Sequence, residues 1–94
     1  MILGYADRDT ERFANGDRVA RFDAFRAQAT RRLAQLEQAA AVTDLLVPPG
    51  NRLERLRGDR DGQHSVRINR QWRVCFVWDD ARGGARDVEI VDYH

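Results

Sequence analysis

The sequence closes with three side chains that can carry or stabilise a proton: the acid Asp92, the phenol Tyr93 and the imidazole His94. An imidazole with an ordinary pKa of about 6.5 changes charge near neutral pH, so His94 is a natural proton carrier. A phenol with an ordinary pKa of about 10 acts as a base only where nearby positive charge stabilises the phenolate. Residues 88–91 are largely apolar and fit the end of a strand, which is expected to anchor the triplet.

Arginines are concentrated upstream of this triplet. Residues 52–73 contain seven arginines against three acids, whereas the whole chain of 94 residues has a formal net charge of only +1. Every basic residue is an arginine, which a GC-rich coding bias would explain, but the planar guanidinium also suits phosphate binding and stacking on bases. Composition does not separate these two interpretations. RNA cleavage without a metal requires groups that transfer protons and positive charge close to them. The terminal triplet and the arginines are groups of these two kinds, and neither His64 nor Cys75 belongs to a metal-ligand cluster.

The first half of the chain predicts a short strand and two helices. Residues 2–6 form a short apolar run that fits a strand, and residues 10–14 fit one or two helical turns. A spacing of three and four residues then predicts an amphipathic helix, which Asp17 or Asp23 could cap. Pro48-Pro49-Gly50 is expected to end all helical structure. The apolar stripe of the long helix is Phe22, Phe25, Ala29, Leu33, Leu36 and Ala40.

After Gly50 the apolar period changes from helical spacing to alternation, which predicts strands. The whole chain, residues 1–94, is expected to form a single domain around one core. The fold class is predicted to be α+β, with an N-terminal strand and two helices packed on a curved four-stranded antiparallel sheet. The four predicted strands are residues 52–57, 64–69, 72–78 and 86–93.

Alternation along these strands predicts which side chains share a face of the sheet. We expect Leu56, Val66, Trp72 and Val88 to face the helices. The residues that alternate with them along each strand, such as Ser65 and Arg67, then face away. A single bulge would reverse part of this assignment. One arginine on such a face is usually just solvated, but several repel each other unless acids or a bound anion compensate. The face away from the helices is expected to gather Arg55, Arg57, Arg67, Asn69, Arg73 and Tyr93.

Other residues have simpler structural interpretations. Asp59 and Asp61 are expected to be turn residues that also pair with nearby arginines. Trp72 and Trp78 are expected in the core, and Cys75, the only cysteine, is expected to be a packed small hydrophobic side chain. One cysteine cannot form an internal disulfide, which fits a reducing cytoplasm. We expect neither a signal peptide nor a membrane span.

The ordered set of these residues resembles the HigB-type toxins of the RelE/ParE superfamily of bacterial toxin–antitoxin systems. The resemblance covers nearly the whole chain and is most specific in the stretches SVRINRQWRVCF, residues 65–76, and DVEIVDYH, residues 87–94. It implies a RelE-like fold and a ribosome-dependent endoribonuclease, an mRNA interferase that cuts translated messenger RNA. It also implies a cytoplasmic location, no cofactor, and a HigA-like antitoxin with a helix-turn-helix. Operator DNA would be contacted only through that antitoxin.

The resemblance also assigns site residues. Relatives often carry a lysine or an arginine where this chain has Arg57, and some carry a histidine where it has Glu54. An arginine can hold a phosphate but cannot act as a base. No residue is expected to bind a metal. The catalytic residues implied are Arg57, Arg73, Asp92, Tyr93 and His94. Contacts to RNA are predicted for Arg55, Arg60, Arg67, Asn69 and Arg70.

The expected reaction is attack of a ribose 2′-OH on the adjacent phosphodiester. It needs a base for the hydroxyl, an acid for the departing 5′ oxygen and positive charge for the phosphorane. We assign His94 as the general acid, although whether it is the acid or the base stays open. Tyr93 could act as a phenolate or only orient the nucleotide. Arg57 and Arg73 are expected to stabilise the phosphate.

Two alternatives remain open at this point. A non-nucleolytic toxin of the same fold would bind DNA gyrase, and the arginine face would then be an interaction surface. A plain interaction or DNA-binding module would lack catalysis. The sequence gives little support to the second alternative, because the helical pattern ends before Pro48 and no segment fits a helix-turn-helix.

Overall fold

The computed structural model describes residues 1–92, so Tyr93 and His94 lie outside the described residues. Its strands form one antiparallel sheet in the order β1-β2-β3-β4, and the predicted α+β class is confirmed. The first strand is shorter than predicted, because Arg52 has a left-handed backbone (φ 46°) and Arg57 precedes a 3₁₀ turn. The bounds are Glu54–Arg55 for β1, His64–Arg67 for β2, Trp72–Asp79 for β3 and Gly84–Asp92 for β4.

Within the described residues, two α-helices and several 3₁₀ turns accompany the sheet. The first helix, α1, begins where the Asp7 carboxylate accepts a hydrogen bond from the Thr10 backbone N–H at 3.2 Å, as an N-cap residue does. Helical structure does not end at Pro48, because two short 3₁₀ turns follow it. Among the described helices, none has the length and hydropathy needed to cross a membrane. The helices are α1, Arg8–Ala14, and α2, Arg26–Gln38; the 3₁₀ turns are Ala20–Phe25, Val42–Leu46, Pro49–Asn51 and Gly58–Arg60.

The predicted long helix is divided into a 3₁₀ turn and α2. The prediction that Asp17 or Asp23 caps it is wrong, since the first turn of α2 has no side-chain cap and Asp23 accepts two hydrogen bonds from Arg18 instead. The helix ends at Gln38, and the next residue has extended dihedral angles (φ −66°, ψ 131°). Ala39 is therefore buried, and not Ala40 as the helical spacing predicted.

The N-terminal segment lies along the free edge of β4 rather than forming a full strand. It makes two isolated parallel bridges, Ile2 with Ala85 and Tyr5 with Val88. Backbone hydrogen bonds of 2.7–3.1 Å accompany these bridges. The predicted strand at residues 2–6 is thus reduced to bridges, which still cover an edge that would otherwise expose unpaired backbone groups.

The main hydrophobic core lies between the helices and one face of the sheet. Phe22 is fully buried, and its ring meets that of Phe13 edge-on at a centroid distance of 5.4 Å. Trp72 packs against this core at 4.9 Å from the ring of Phe25, and Trp78 also packs against it. The inward alternation predicted for β2–β4 is confirmed at Val66, Ile68, Val74, Phe76, Val88 and Ile90.

A bulge interrupts the pairing of β3 with β4. The register shifts between Cys75 and Val77, and Asp87 has a positive φ of 54°. Two β4 residues therefore stand against one β3 residue. As a result Ala85 and Val88 are both buried in the core although they are three positions apart. The bulge lies towards the β3–β4 turn, so the regular register resumes before β4 reaches Arg73.

Candidate functional site

The candidate site is the sheet face opposite the helices, which we call the site face. Residues paired across antiparallel strands point to the same side, so the register defines its members. Arg67 and Arg73 are direct partners across β2 and β3, and the prediction that they lie together is confirmed. One row across all four strands consists of Glu54, Ser65, Cys75 and Glu89. A second row consists of Arg67, Arg73 and Val91.

The prediction that Arg55 belongs to this face is wrong. The register pairs Arg55 with His64 and His64 with Phe76, which lies in the helix-side core. The error arose because Leu56 was predicted to face the helices. Leu56 is 2% exposed but is not part of the helix-side cluster, and alternation puts it with Glu54 on the site face. An apolar residue was buried as expected, but on the opposite side of the sheet.

Arg73 is held in one orientation by groups from two other strands or their ends. Its Nε donates to Ser65 Oγ at 2.7 Å, and its NH2 donates to the Arg52 carbonyl at 2.7 Å. Its NH1 lies 3.7 Å from a carboxylate oxygen of Glu54. The Arg73 side chain is only 13% exposed. The side chain therefore lies across β2, from β3 to the chain before β1, and its guanidinium is fixed before any ligand arrives.

The turn after β1 folds over the site face. Arg60 NH1 is 3.2 Å from Glu89 Oε1 on β4 and 3.1 Å from Gln63 Oε1. Arg60 thereby crosses the sheet above the row that contains Ser65 and Cys75. Within residues 1–92, neither Asp59 nor Asp61 is within ion-pair distance of an arginine. The prediction that these two acids pair with nearby arginines is therefore wrong, because Glu89 takes that role.

The remaining residues predicted to contact RNA differ in how far hydrogen bonds within the protein hold them in place. Arg67 is half-buried, and its Nε donates to the Asn69 carbonyl at 3.0 Å. The Asn69 side-chain oxygen accepts from the backbone N–H groups of Gln71 and Trp72, at 2.9 and 2.8 Å, so it shapes the β2–β3 turn. Arg70 is exposed at the tip of that turn. Of these residues, Arg67 faces Arg73 directly, and the turn brings Asn69 and Arg70 to the same end of the sheet.

Arg57 occupies a different surface. It is exposed and lines an open cleft of about 390 Å³ at the β1 edge, together with Arg55, Leu56 and Asp61. A hydrogen bond of 2.8 Å from Leu56 N–H to the Gln63 carbonyl closes the base of this turn. The two arginines give the cleft a positive side, and Asp61 partly offsets it.

The carboxyl end of β4 runs beside Arg73. Val91 is the register partner of Arg73, and Asp92 is the partner of Trp72. The Asp92 carboxylate accepts a hydrogen bond from Gln71 Nε2 at 2.8 Å. Asp92 is the last described residue, and the predicted proton carriers Tyr93 and His94 lie outside the described part of the chain.

Burial shifts the pKa of two groups on the sheet. Cys75 is fully buried, which raises the pKa of its thiol, while Arg60 and Arg73 pull that pKa down and Glu89 raises it. Burial also lowers the pKa of His64, and the Arg55 charge lowers it further. The expectation that Cys75 is packed is confirmed, although it lies on the site face and outside the helix-side cluster.

Sequence reasoning missed the groups that orient Arg73. Alternation put Ser65 on the correct face but gave no sign that its hydroxyl is fully buried. The Arg52 carbonyl depends on a left-handed backbone at φ 46°, which no side-chain pattern reveals. Within residues 1–92 no group of three or more His, Cys, Asp or Glu side chains could hold a metal ion, and metal-free chemistry stays a prediction.

Comparison with known proteins identifies the family. Residues 4–94 match the family model described as the RelE-like toxin of the type II toxin–antitoxin system HigB. The chain is also 38% identical over 82 residues to Toxin HigB-1 of Vibrio cholerae serotype O1, which covers 85% of this chain and 86% of that protein. The resemblance found in the sequence is therefore confirmed. The chain belongs to the HigB family of RelE-like toxins, and as a type II toxin it has a cognate antitoxin as its partner.

Proposed function

We propose that this toxin is a ribosome-dependent endoribonuclease that cuts translated messenger RNA by attack of a ribose 2′-OH on the adjacent phosphodiester. The observation that carries the proposal is the fixed Arg73 guanidinium, which has hydrogen bonds of 2.7 Å on both Nε and NH2. A cation that is already oriented stabilises developing negative charge without reorganisation during the reaction. Arg67 adds a second positive group directly opposite it.

Arg73 is proposed to stabilise the phosphorane. As the 2′ oxygen attacks, negative charge grows on the two non-bridging phosphate oxygens. A guanidinium NH1 and NH2 edge matches that pair of oxygens in shape and charge. Glu54 lies 3.7 Å from NH1, so a phosphate that binds this edge would compete with the carboxylate. Arg67 is proposed to bind the neighbouring phosphate.

His94 and Tyr93 are proposed to transfer the protons. Their support is positional: they are joined directly to Asp92, and β4 runs beside Arg73 through the pairing of Val91. His94 is assigned as general acid for the departing 5′ oxygen, because an imidazole near its ordinary pKa of about 6.5 exchanges protons readily. Tyr93 would act as base or orient the nucleotide, and Asp92 would favour a protonated His94.

The other arginines are proposed to bind RNA away from the scissile bond. The cleft with Arg55 and Arg57 lies at the β1 edge and would hold a flanking phosphate, which revises Arg57 from a catalytic to a binding residue. Arg70 and the turn around Asn69 would contact RNA on the other flank. Arg60, half-buried against Glu89, is assigned to shaping the site face rather than to a primary RNA contact.

Ribosome dependence fits a site with so few groups. A small catalytic set gains most when another surface stretches and immobilises the substrate, since orientation alone contributes several kcal/mol to catalysis, roughly 7–11 in the best cases. The antitoxin is proposed to be a HigA-like helix-turn-helix protein that provides the only contact with operator DNA. The toxin itself is proposed to act in the cytoplasm on translating ribosomes.

The test is end-mapping of messages after a brief induction of the toxin, with and without a block of translation initiation. New 5′ ends inside open reading frames that vanish when translation is blocked are expected. Arg73→Ala should reduce the frequency of these new 5′ ends by roughly 10²–10³-fold. Arg8 is an exposed residue of α1, and Arg8→Ala should leave that frequency unchanged. Intact messages accompanied by DNA breaks would instead favour a gyrase-binding toxin.

Deletion of His94 tests the acid–base part separately. The truncated protein should stay folded and lose cleavage. A stable truncated protein that cuts at the wild-type rate would remove His94 from the chemistry and leave the role of Arg73 intact.

A further inference from the structure

A buried hydroxyl lies beneath the Arg73 side chain. Ser65 is the only serine in the chain and is 0% exposed. Ser65 pairs with Cys75 and Arg67 pairs with Arg73, which makes Ser65 and Arg73 diagonal neighbours on one face. That separation is within reach of a long side chain. The hydroxyl therefore lies where the Arg73 side chain passes on its way to the Arg52 carbonyl, and it accepts from Nε at 2.7 Å.

Two contacts on one edge fix the plane of the guanidinium. Nε and NH2 form the side edge of this planar group, and here they are bound by Ser65 Oγ and by the Arg52 carbonyl, each at 2.7 Å. A planar group held at two points of one edge cannot turn about its long axis. The direction of NH1, which lies 3.7 Å from Glu54, follows from these two contacts.

We infer that Ser65 is the positioning residue for Arg73, and that it directs the NH1 side of the guanidinium towards the substrate phosphate. The inference rests on the proposed function, because it gives Arg73 a phosphate to bind. Ser65 is too deeply buried to touch RNA, so it acts through Arg73. A misplacement of about 1 Å in a catalytic group costs on the order of 10²-fold in rate. Loss of this acceptor is therefore expected to slow cleavage without removing any charge.

The first test is a double-mutant cycle on single-turnover cleavage of a ribosome-bound message by purified toxin. Ser65→Ala should slow cleavage by about 10- to 100-fold, and Arg73→Ala by about 10²–10³-fold. If Ser65 acts only through Arg73, the double variant should be no slower than Arg73→Ala, because coupled residues are not additive. A wild-type rate for Ser65→Ala, or fully additive losses, would overturn the inference.

A matched control separates positioning from general loss of a buried hydroxyl. Thr10 is also 0% exposed, and its Oγ1 accepts from the Ile90 backbone N–H at 3.0 Å on the other side of the sheet. Thr10→Ala should lower the melting temperature as Ser65→Ala does, yet keep the cleavage rate. Equal loss of cleavage in both variants would indicate a structural effect only and would contradict the positioning role.

A second measurement does not depend on cleavage. The side-chain Nε–H resonance of Arg73 in a proton–nitrogen correlation spectrum should be resolved and protected from solvent exchange in the wild-type chain and in Thr10→Ala. In Ser65→Ala it should exchange at the rate of exposed arginines such as Arg70. An unchanged resonance would refute the inference. If the wild-type protein cuts no message at all, the proposed function fails, and the resonance still decides whether Ser65 holds Arg73.

Discussion

Arg67 lies directly opposite Arg73 across β2 and β3. Like charges in that arrangement destabilise a sheet pair, so the fold must hold both groups by other contacts. Arg67 donates to the Asn69 carbonyl, and Arg73 donates to Ser65 and the Arg52 carbonyl. Arg67 and Arg73 are held close together in spite of their mutual repulsion, and a bound polyanion would relieve that repulsion. This supports the proposed binding of RNA to the site face.

Replacement of Arg67 should weaken RNA binding through the loss of one phosphate contact. Arg67→Ala is expected to reduce the slope of log affinity against log salt by about 0.7, the value for one phosphate on a single strand. The measurement is a salt titration of binding to a short fluorescent RNA. Arg82→Ala, an exposed arginine in the β3–β4 turn, should leave the slope unchanged. Equal slopes for wild type and Arg67→Ala would show that Arg67 meets no phosphate.

Arg32 connects α2 to the strand that carries Arg67. Its Nε donates to the Arg67 carbonyl at 2.6 Å, and burial lowers the pKa of its guanidinium, with Arg31 adding to the effect. Arg32→Ala would remove the charged donor from that carbonyl. The free energy of unfolding in urea should fall by about 1.5–3 kcal/mol.

The neighbouring arginine provides the control for this change. Arg31 is exposed on the same helix, so Arg31→Ala has the same change in helix propensity without the buried contact. It should alter stability by no more than about 0.5 kcal/mol. Equal losses for the two variants would mean that the bond from Arg32 to the Arg67 carbonyl contributes nothing measurable.

The sequence predicted the fold and the central pair of the site because both follow from local periodicity. Side chains alternate regularly between the two faces along β2 and β3, so the sequence was sufficient to predict that Arg67 and Arg73 share a face. The prediction failed for Arg55 because the neighbouring Leu56 was assumed to face the helices, whereas it is buried outside the helix-side cluster. The turn that follows Leu56 is held over that side of the sheet by the contact of Arg60 with Glu89. This contact joins residues far apart in the chain, and no local spacing encodes it.

Opening of the turn around Arg60 should be visible at Cys75. The thiol is fully buried and its pKa is raised by that burial, so labelling by a thiol reagent in the folded state requires local opening. Arg60→Ala removes the 3.2 Å contact with Glu89. Partly exposed ion pairs contribute up to about 1 kcal/mol, which corresponds to a labelling rate up to about fivefold higher.

A second arginine variant makes this labelling result specific. Arg86 pairs with Asp79 and Asp87 at the far end of β4, away from the turn around Arg60. Arg86→Ala should leave the labelling rate of Cys75 unchanged under native conditions. If both variants label equally fast, the thiol is reached through global unfolding and the turn does not control its access.

His64 should make the stability of the fold depend on pH. Its pKa is lowered by burial and, secondarily, by Arg55, and its ring stacks on Phe76 at 6.0 Å with its Nδ1 unbonded within residues 1–92. As pH falls through the unfolded value of about 6.5, the unfolded chain takes up a proton that the folded chain does not. The free energy of unfolding is therefore not reduced by His64 above that pH. It declines as pH falls below that value, until pH has passed the folded pKa.

Urea unfolding at pH 7.5 and 5.5 should show a larger loss of unfolding free energy for wild type than for His64→Gln, with Arg55→Gln between them. The comparison uses the difference between the two pH values, so the lost ring stacking in His64→Gln cancels. Parallel losses in all three proteins would mean that other groups set the pH dependence.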